Sequence, residues 1–187
     1  MSSNNILIIV DVQNDFVTGP LGSAKAEAVT QDIIQYAKKR AKEGWRLVFT
    51  RDRHHDDYMN TREGRKLPVP HCIERTAGYQ ICEGLREVMP LATRIDIIDK
   101  DDSFGYLYWP QETIEGNSLS PIPQKIEMCG FCTDICVVSN ALFLRNILKD
   151  CEIDILENLC AGVTEEKHKA ALMVMDSCQC NIVTAEV

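Results

Sequence analysis

No stretch of this chain approaches the ~20 consecutive apolar residues that a bilayer span needs. Its first five residues, Met1-Ser-Ser-Asn-Asn5, carry no basic group ahead of the short apolar run Ile6–Val10. They read as neither anchor nor secretory signal, and a cytoplasmic protein is the expectation. Positive charge is scarce: 20 Lys and Arg face 28 Asp and Glu, a formal charge of -8. A nucleic-acid binder needs a basic face to track phosphates, so that class is set aside and a small-molecule partner is expected. Aromatic residues make up only 6% of the chain. Internal repeats, low-complexity tracts and linker-like stretches are missing too, which leaves one domain over residues 1–187 as the expectation. What is plentiful is ordinary globular material, 45% hydrophobic and 26% charged, in 187 residues, enough to build a core. Nine cysteines, an odd number lying mostly in apolar patterns, fit small buried hydrophobes better than a secreted disulfide framework.

Apolar periodicity divides the chain into alternating strands and helices. Strands are expected at Asn5–Val10, Trp45–Thr50, Arg94–Ile98, Lys125–Cys129, Glu152–Leu156 and Asn181–Thr184. Helices are expected over Ala24–Lys42, stopped by Gly44, then over Tyr79–Val88 and Asp134–Leu148, and from the Thr164 cap to about Cys178. The stretches Arg51–His71 and Asp101–Pro123 read as long irregular excursions, the kind that carry function in a compact domain. The alternation predicts an α/β fold: a three-layer, doubly wound, six-stranded parallel sheet. Sites in such sheets lie beyond the carboxyl ends of the strands.

That rule gathers residues far apart in sequence. Just past the expected strands stand Asp11, Thr50-Arg-Asp52, Lys100 and the turn Gly130–Thr133 leading to Cys136. A thiol early in a helix faces free N–H groups and the positive end of the dipole, which lowers its pKa and populates the nucleophilic thiolate. The same cysteine taken alone packs as a small hydrophobe. Asp11 reads as a general base or a capping carboxylate, and Lys100 as the cation that holds both or as a surface lysine. Asp52, His54 and the later His71 supply one carboxylate and two imidazoles, a set suited to Zn, Fe or Mn. His55 should point elsewhere, and His168, between two lysines, reads as a surface residue. Cys129-x2-Cys132-x3-Cys136 has iron–sulfur-like spacing but lacks a following proline and a fourth ligand. Cys178 and Cys180 read as core packing.

Several segments taken together resemble the isochorismatase-like cysteine hydrolases, most of all their nicotinamidase (pyrazinamidase) branch. They are Asp11-Val-Gln-Asn-Asp-Phe16, Thr50-Arg-Asp-Arg-His54, Pro70-His-Cys72 with Thr76-x-Gly78, Lys100, and Cys129-Gly-Phe-Cys-Thr-Asp-Ile-Cys-Val137. The resemblance implies a catalytic triad of Asp11, Lys100 and Cys136. It implies a cis peptide before Cys132, an oxyanion hole from the N–H groups of Cys132 and Cys136, and ring stacking on Phe16. It also implies a divalent metal, zinc with iron or manganese as alternatives, on Asp52, His54 and His71. The chain differs from many of that branch in Pro68, where an aromatic residue is common, in Asn60, where some have a further His, and in the stretch after Lys100. The implied activity is hydrolysis of a small primary amide through a thioester, in a homo-oligomer to which Tyr108 and Trp109 could contribute contacts. The alternatives are a carbamoyl amidohydrolase, an isochorismatase-type hydrolase, and a non-enzymatic cysteine redox or metal sensor.

Overall fold

Ile6–Val10 can be buried on both faces only if a strand lies on each side and a helix layer above and below. The computed structural model, which describes residues 4–101, 103–105 and 123–187, places this run at the centre of the sheet. Strand β1 (Asn5–Val10) lies between β2 (Arg46–Arg53) and β4 (Lys125–Phe131). With β3 (Ile95–Asp101), β5 (Glu152–Ala161) and β6 (Asn181–Val183) the order is β3-β2-β1-β4-β5-β6, every pairing parallel. The expected doubly wound fold is the observed one. The order reverses between β1 and β4, where a crevice opens at the carboxyl ends.

The helix signals hold where they were strongest. Helix α1 (Asn14–Val17) is a single turn after β1, and α2 (Ala24–Lys42) starts and stops where its pattern predicts. The Ser23 side chain accepts the Ala26 N–H, and Gly44 ends the helix at φ +79, in the left-handed region that suits glycine. A short α3 (Arg62–Lys66) interrupts the first excursion. Helix α4 (Glu83–Val88) is shorter than expected, because Ile81 instead pairs with Gln13 across an isolated bridge. Past β4, the residues Thr133–Val137 form one π-helical turn leading into α5 (Val138–Ile147). Helix α6 (Glu165–Ser177) is capped by Thr164, whose hydroxyl accepts the Lys167 N–H. No described helix is long and apolar enough to cross a membrane. Tyr108 and Trp109 lie outside the described residues.

Four strands run further than their apolar cores indicate. β2 and β3 continue through Arg51↔Asp99, Asp52↔Lys100 and Arg53↔Asp101. The Arg51–Asp99 and Arg53–Asp101 ion pairs brace that polar extension across the strands. Asp52 and Lys100 therefore stand inside strands, where the ladder fixes their direction. β4 continues through Gly130, which is strand and not turn, and β5 continues to Ala161 around a register shift opposite it. Gly130 has φ +121, and a Cβ there would lie 2.1 Å from the Val10 carbonyl oxygen. Glycine thus lets β4 pass close against the end of β1.

Gly130→Ala should lower stability by about 2 kcal/mol or more, since both strain and backbone overlap oppose the methyl group. Gly44→Ala, with φ +79 but open space around it, should lose only about 1 kcal/mol. Urea unfolding of the two variants compares them directly, and equal losses would contradict the close approach at Gly130.

Candidate active site

The chain reverses sharply as it leaves β1, and Asp11 sits at that corner with φ +52. Its backbone N–H donates to the Thr50 carbonyl at 3.2 Å. The Thr50 hydroxyl donates to Asp11 Oδ1 at 2.6 Å. The other carboxylate oxygen lies 2.7 Å from Lys100 Nζ, and both side chains are fully buried. Lys100 spends its remaining donors on the Ser103 and Phe104 carbonyls. Burial works against its charge, but Asp11, Cys136 and Asp52 together raise its pKa, so the amine stays protonated. Burial pushes the Asp11 carboxyl up while Lys100 pulls it down.

Cys136 completes the group. Its buried thiol lies near enough to Asp11 and Lys100 to feel the charge of both. The expected fall in its pKa does not occur. Burial pushes it well above the ordinary thiol value, and Lys100 only partly offsets this while Asp11 and Asp52 add to it. Cys136 lies in the π-helical turn before α5, but full desolvation outweighs a helix-end effect of at most about 2 kcal/mol. The resting sulfur is thus a thiol near a buried carboxylate. The peptide between Phe131 and Cys132 is cis, as the resemblance implied. Cys132 is half-buried, its thiol pushed up to about 12 by burial.

Beside this group, Asp52, His54 and His71 are buried and their ligand atoms lie within 4.8 Å of one another. Both imidazoles aim Nε2 at one oxygen of Asp52, His54 at 3.1 Å and His71 at 3.3 Å. His71 Nδ1 lies 2.8 Å from the Val69 carbonyl. A carbonyl can only accept, so Nδ1 carries a proton, and Nε2 is the ring nitrogen turned toward Asp52 and available to a metal. Burial would raise the Asp52 carboxyl, but hydrogen bonds from His54 and His71 and the charge of Lys100 hold it well below the usual range. Tyr58 packs its ring 4.7 Å from His54 and 5.2 Å from His71, and Phe16 stands edge-on to His71 at 5.5 Å. One carboxylate and two imidazoles converging in a dry, ring-walled pocket fit a divalent transition metal. Among the described residues this is the one such group. Cys129 is sealed inside β4, so the iron–sulfur spacing leads to no cluster.

A cavity of about 240 Å³ opens onto Cys132, Cys136, Asp52 and His71. Its walls are largely apolar, including Phe16, Leu21, Leu67, Phe104 and Ile135. Sequence reasoning missed Glu63, which lines the cavity with Oε1 3.9 Å from His54 Nε2, whereas Asn60 belongs to an exposed turn. A carboxylate within the polar excursion after Asp-x-His was the available signal. His168 was misjudged: it is buried and its Nδ1 lies 2.8 Å from the Thr133 hydroxyl, tying α6 to the turn that carries Cys136. Its flanking lysines mark the outer face of α6, while Ala171, Leu172 and Met175 share its buried face. Cys180 is core as expected, but Cys178 is exposed. His55 points away as expected, exposed and 3.9 Å from Glu74.

A family model described as "Isochorismatase domain" matches residues 5–187. The nicotinamidase/pyrazinamidase of Mycobacterium tuberculosis is 28% identical over 189 residues, covering 95% of this chain and 97% of that protein. The nicotinamidase/pyrazinamidase PncA of Bacillus subtilis superimposes with a TM-score of 0.78 at 26% identity, covering 96% of this chain and 98% of the other. The pyrazinamidase of Pyrococcus horikoshii, solved in complex with zinc, gives 0.77 at 26% identity over 97% and 99%.

Removing Lys100 leaves the buried Asp11 carboxylate without its cation, so Lys100→Met should cost about 3–5 kcal/mol at pH 7. The loss shrinks as pH falls. Asp11's folded-state pKa, already raised by burial, rises further in the variant. A raised carboxyl favours the folded state below its unfolded value and loses that contribution as pH rises through the folded value. Urea unfolding of parent and variant at pH 5 and pH 7 measures the difference, and a gap that widens toward pH 5 would contradict this account.

Proposed function

The chain belongs to the isochorismatase domain family, and from that premise we propose that it is a metal-containing, nicotinamidase-like cysteine amidohydrolase. It cleaves a small primary amide to a carboxylic acid and ammonia. Asp11, Lys100 and Cys136 are the catalytic residues, Cys132 and Cys136 supply the oxyanion-hole N–H groups, and Phe16 lines the substrate ring. One observation carries the reading. A fully buried carboxylate is held 2.7 Å from a lysine amine, both act on the charge of the Cys136 thiol, and that cysteine opens onto the cavity.

The arrangement accounts for each proton. Cys136 rests as a thiol because burial disfavours its charge, so deprotonation and attack occur together once a carbonyl is in place. Asp11 takes the thiol proton as sulfur bonds to the amide carbon. The negative charge moves to the substrate oxygen, where two backbone N–H donors receive it, each worth about 3–4 kcal/mol. Asp11 then gives its proton to the departing nitrogen, ammonia leaves, and a thioester remains. Asp11 next takes a proton from water, whose oxygen displaces the sulfur, and the proton returns to the thiol. Lys100 keeps its charge throughout and offsets the negative charge that passes between Asp11, sulfur and oxygen. Asp52, His54 and His71 would hold the metal, with zinc favoured by their donor set; when bound, it supplies a Lewis acid for a ring heteroatom or a water.

Features of the site weigh against the alternatives. Vinyl-ether hydrolysis has no use for a thiol facing the cavity beside a buried carboxylate and ammonium. A redox sensor needs a stabilised thiolate, which Cys136 lacks. All nine cysteines are free, which supports a reducing, cytoplasmic setting. The exposed Val163, Met173 and Val174 support self-association into a homo-oligomer.

Cys136→Ala should lower ammonia release by at least ~10³-fold while leaving the unfolding midpoint near that of the parent. Activity retained in that variant would remove Cys136 as nucleophile. Ammonia release compared across nicotinamide, pyrazinamide and aliphatic amides tests the substrate class, and no turnover of either aromatic amide would overturn the nicotinamidase-like reading. Metal analysis of chelator-free protein should find near-stoichiometric zinc, iron or manganese, lost in Asp52→Ala; a metal-free preparation of full activity would overturn the metal assignment.

A further inference from the structure

The residues just past Asp11 do unusual work for a loop. Gln13 is wholly buried, and its carboxamide is fully engaged. Oε1 accepts the Asp52 N–H at 2.7 Å, and Nε2 donates to the Asp52 carbonyl at 2.9 Å and to the Tyr79 carbonyl at 2.9 Å. One planar amide therefore grips residue 52 by both its backbone N–H and its carbonyl. Two residues on, Asp15 Oδ2 accepts the N–H of Cys72, next to His71, at 2.8 Å. The loop at Gly78 closes on that carboxylate so tightly that a Cβ there would come within 2.1 Å of Oδ2. Phe16 then rests edge-on against the His71 ring.

Gln13 and Asp15 bond the backbone of Asp52 and of Cys72 rather than the side-chain ligand atoms of the Asp52–His54–His71 cluster. We propose that Gln13 and Asp15 are positioning residues for that cluster, setting Asp52 and His71 against the strand end that carries Asp11. Neither side chain belongs to the set assigned above; the inference rests on the reading of the cluster as a metal site. Its physical basis is that ligand spacing is decided by backbone placement. Asp52 comes from β2 and His71 from a loop, which a single parallel bridge, His54↔Ile73, joins to the end of that strand. The segment Gln13–Phe16 hydrogen-bonds to the backbone of Asp52 and to that of Cys72, the neighbour of His71. It shares its chain with Asp11, so metal geometry and proton acceptor are registered by one piece of backbone.

The test measures zinc affinity. Full-length protein stripped of metal is titrated with zinc against a chromophoric chelator, for the parent, Gln13→Met, Asp15→Ala and Asp15→Asn. Asp15→Ala and Gln13→Met should weaken zinc binding about tenfold or more, the range expected when outer-shell support is lost. Asp15→Asn should stay near the parent, because its amide oxygen still accepts the Cys72 N–H. Gln13→Met leaves buried backbone groups unpaired; if it does not fold, the Asp15 pair decides. A merely structural role would lower the unfolding midpoint of the zinc-free Asp15→Ala chain and leave its zinc affinity at the parental value, which overturns the proposal. A parent that takes up no zinc overturns the metal-site reading, and this inference with it.

Discussion

The ion pair between Asp11 and Lys100 is the constraint around which the site is organised. Two full charges 2.7 Å apart with no exposed surface are costly to desolvate, by several kcal/mol per ion, and are tolerated only when attraction and further hydrogen bonds compensate. The fold supplies that compensation across three strands. Lys100 rises from β3, spans β2 and meets a carboxylate beyond β1, while Thr50 of β2 bonds the other oxygen. β1 and β3 never pair, so this contact exists only because β2 holds them one strand apart in a fixed register.

The same burial sets the chemical character of the sulfur. A surface thiol beside a lysine would ionise readily. Cys136, sealed against Asp11, is pushed the other way. Desolvation outweighs the ammonium because the cation is already matched by the carboxylate. Under the proposed mechanism, a thiol that keeps its proton at rest suits a group that ionises only when a carbonyl is present. The neighbouring Asp52 adds a further negative charge, held ionised by two imidazoles and by Lys100. Anion, cation, thiol and the Asp52–His54–His71 cluster thus form one electrostatic system in a small volume. The apolar walls of the cavity keep the local dielectric low and strengthen every interaction within it.

Much of this architecture is legible in single segments. The apolar run Ile6–Val10 could only be a central strand, and Ser23, Gly44 and Thr164 mark helix ends that the structure reproduces. The polar ends of β2 and β3 were not legible, because Arg51, Asp52, Arg53, Asp99 and Asp101 read as loop until cross-strand ion pairs are seen to hold them in register. His168 was hidden for a related reason: lysines on either side describe the outer face of α6, and only packing reveals that the imidazole turns inward. Glu63 gave no sign beyond its charge, since its distance to His54 is fixed by how the first excursion folds back.

The chain's order of residues determined which groups arrive at the carboxyl edge of the sheet. Side-chain alternation and the right-handed strand–helix–strand connection leave few other topologies for this pattern. Tertiary structure alone decided their ionisation and their mutual distances. Both depend on exclusion of water and on contacts between strands that are remote in sequence, and neither quantity is a property of a local segment. Thus the sequence placed a cysteine near a helix start, where a thiolate was expected, and burial in the packed fold made it a thiol.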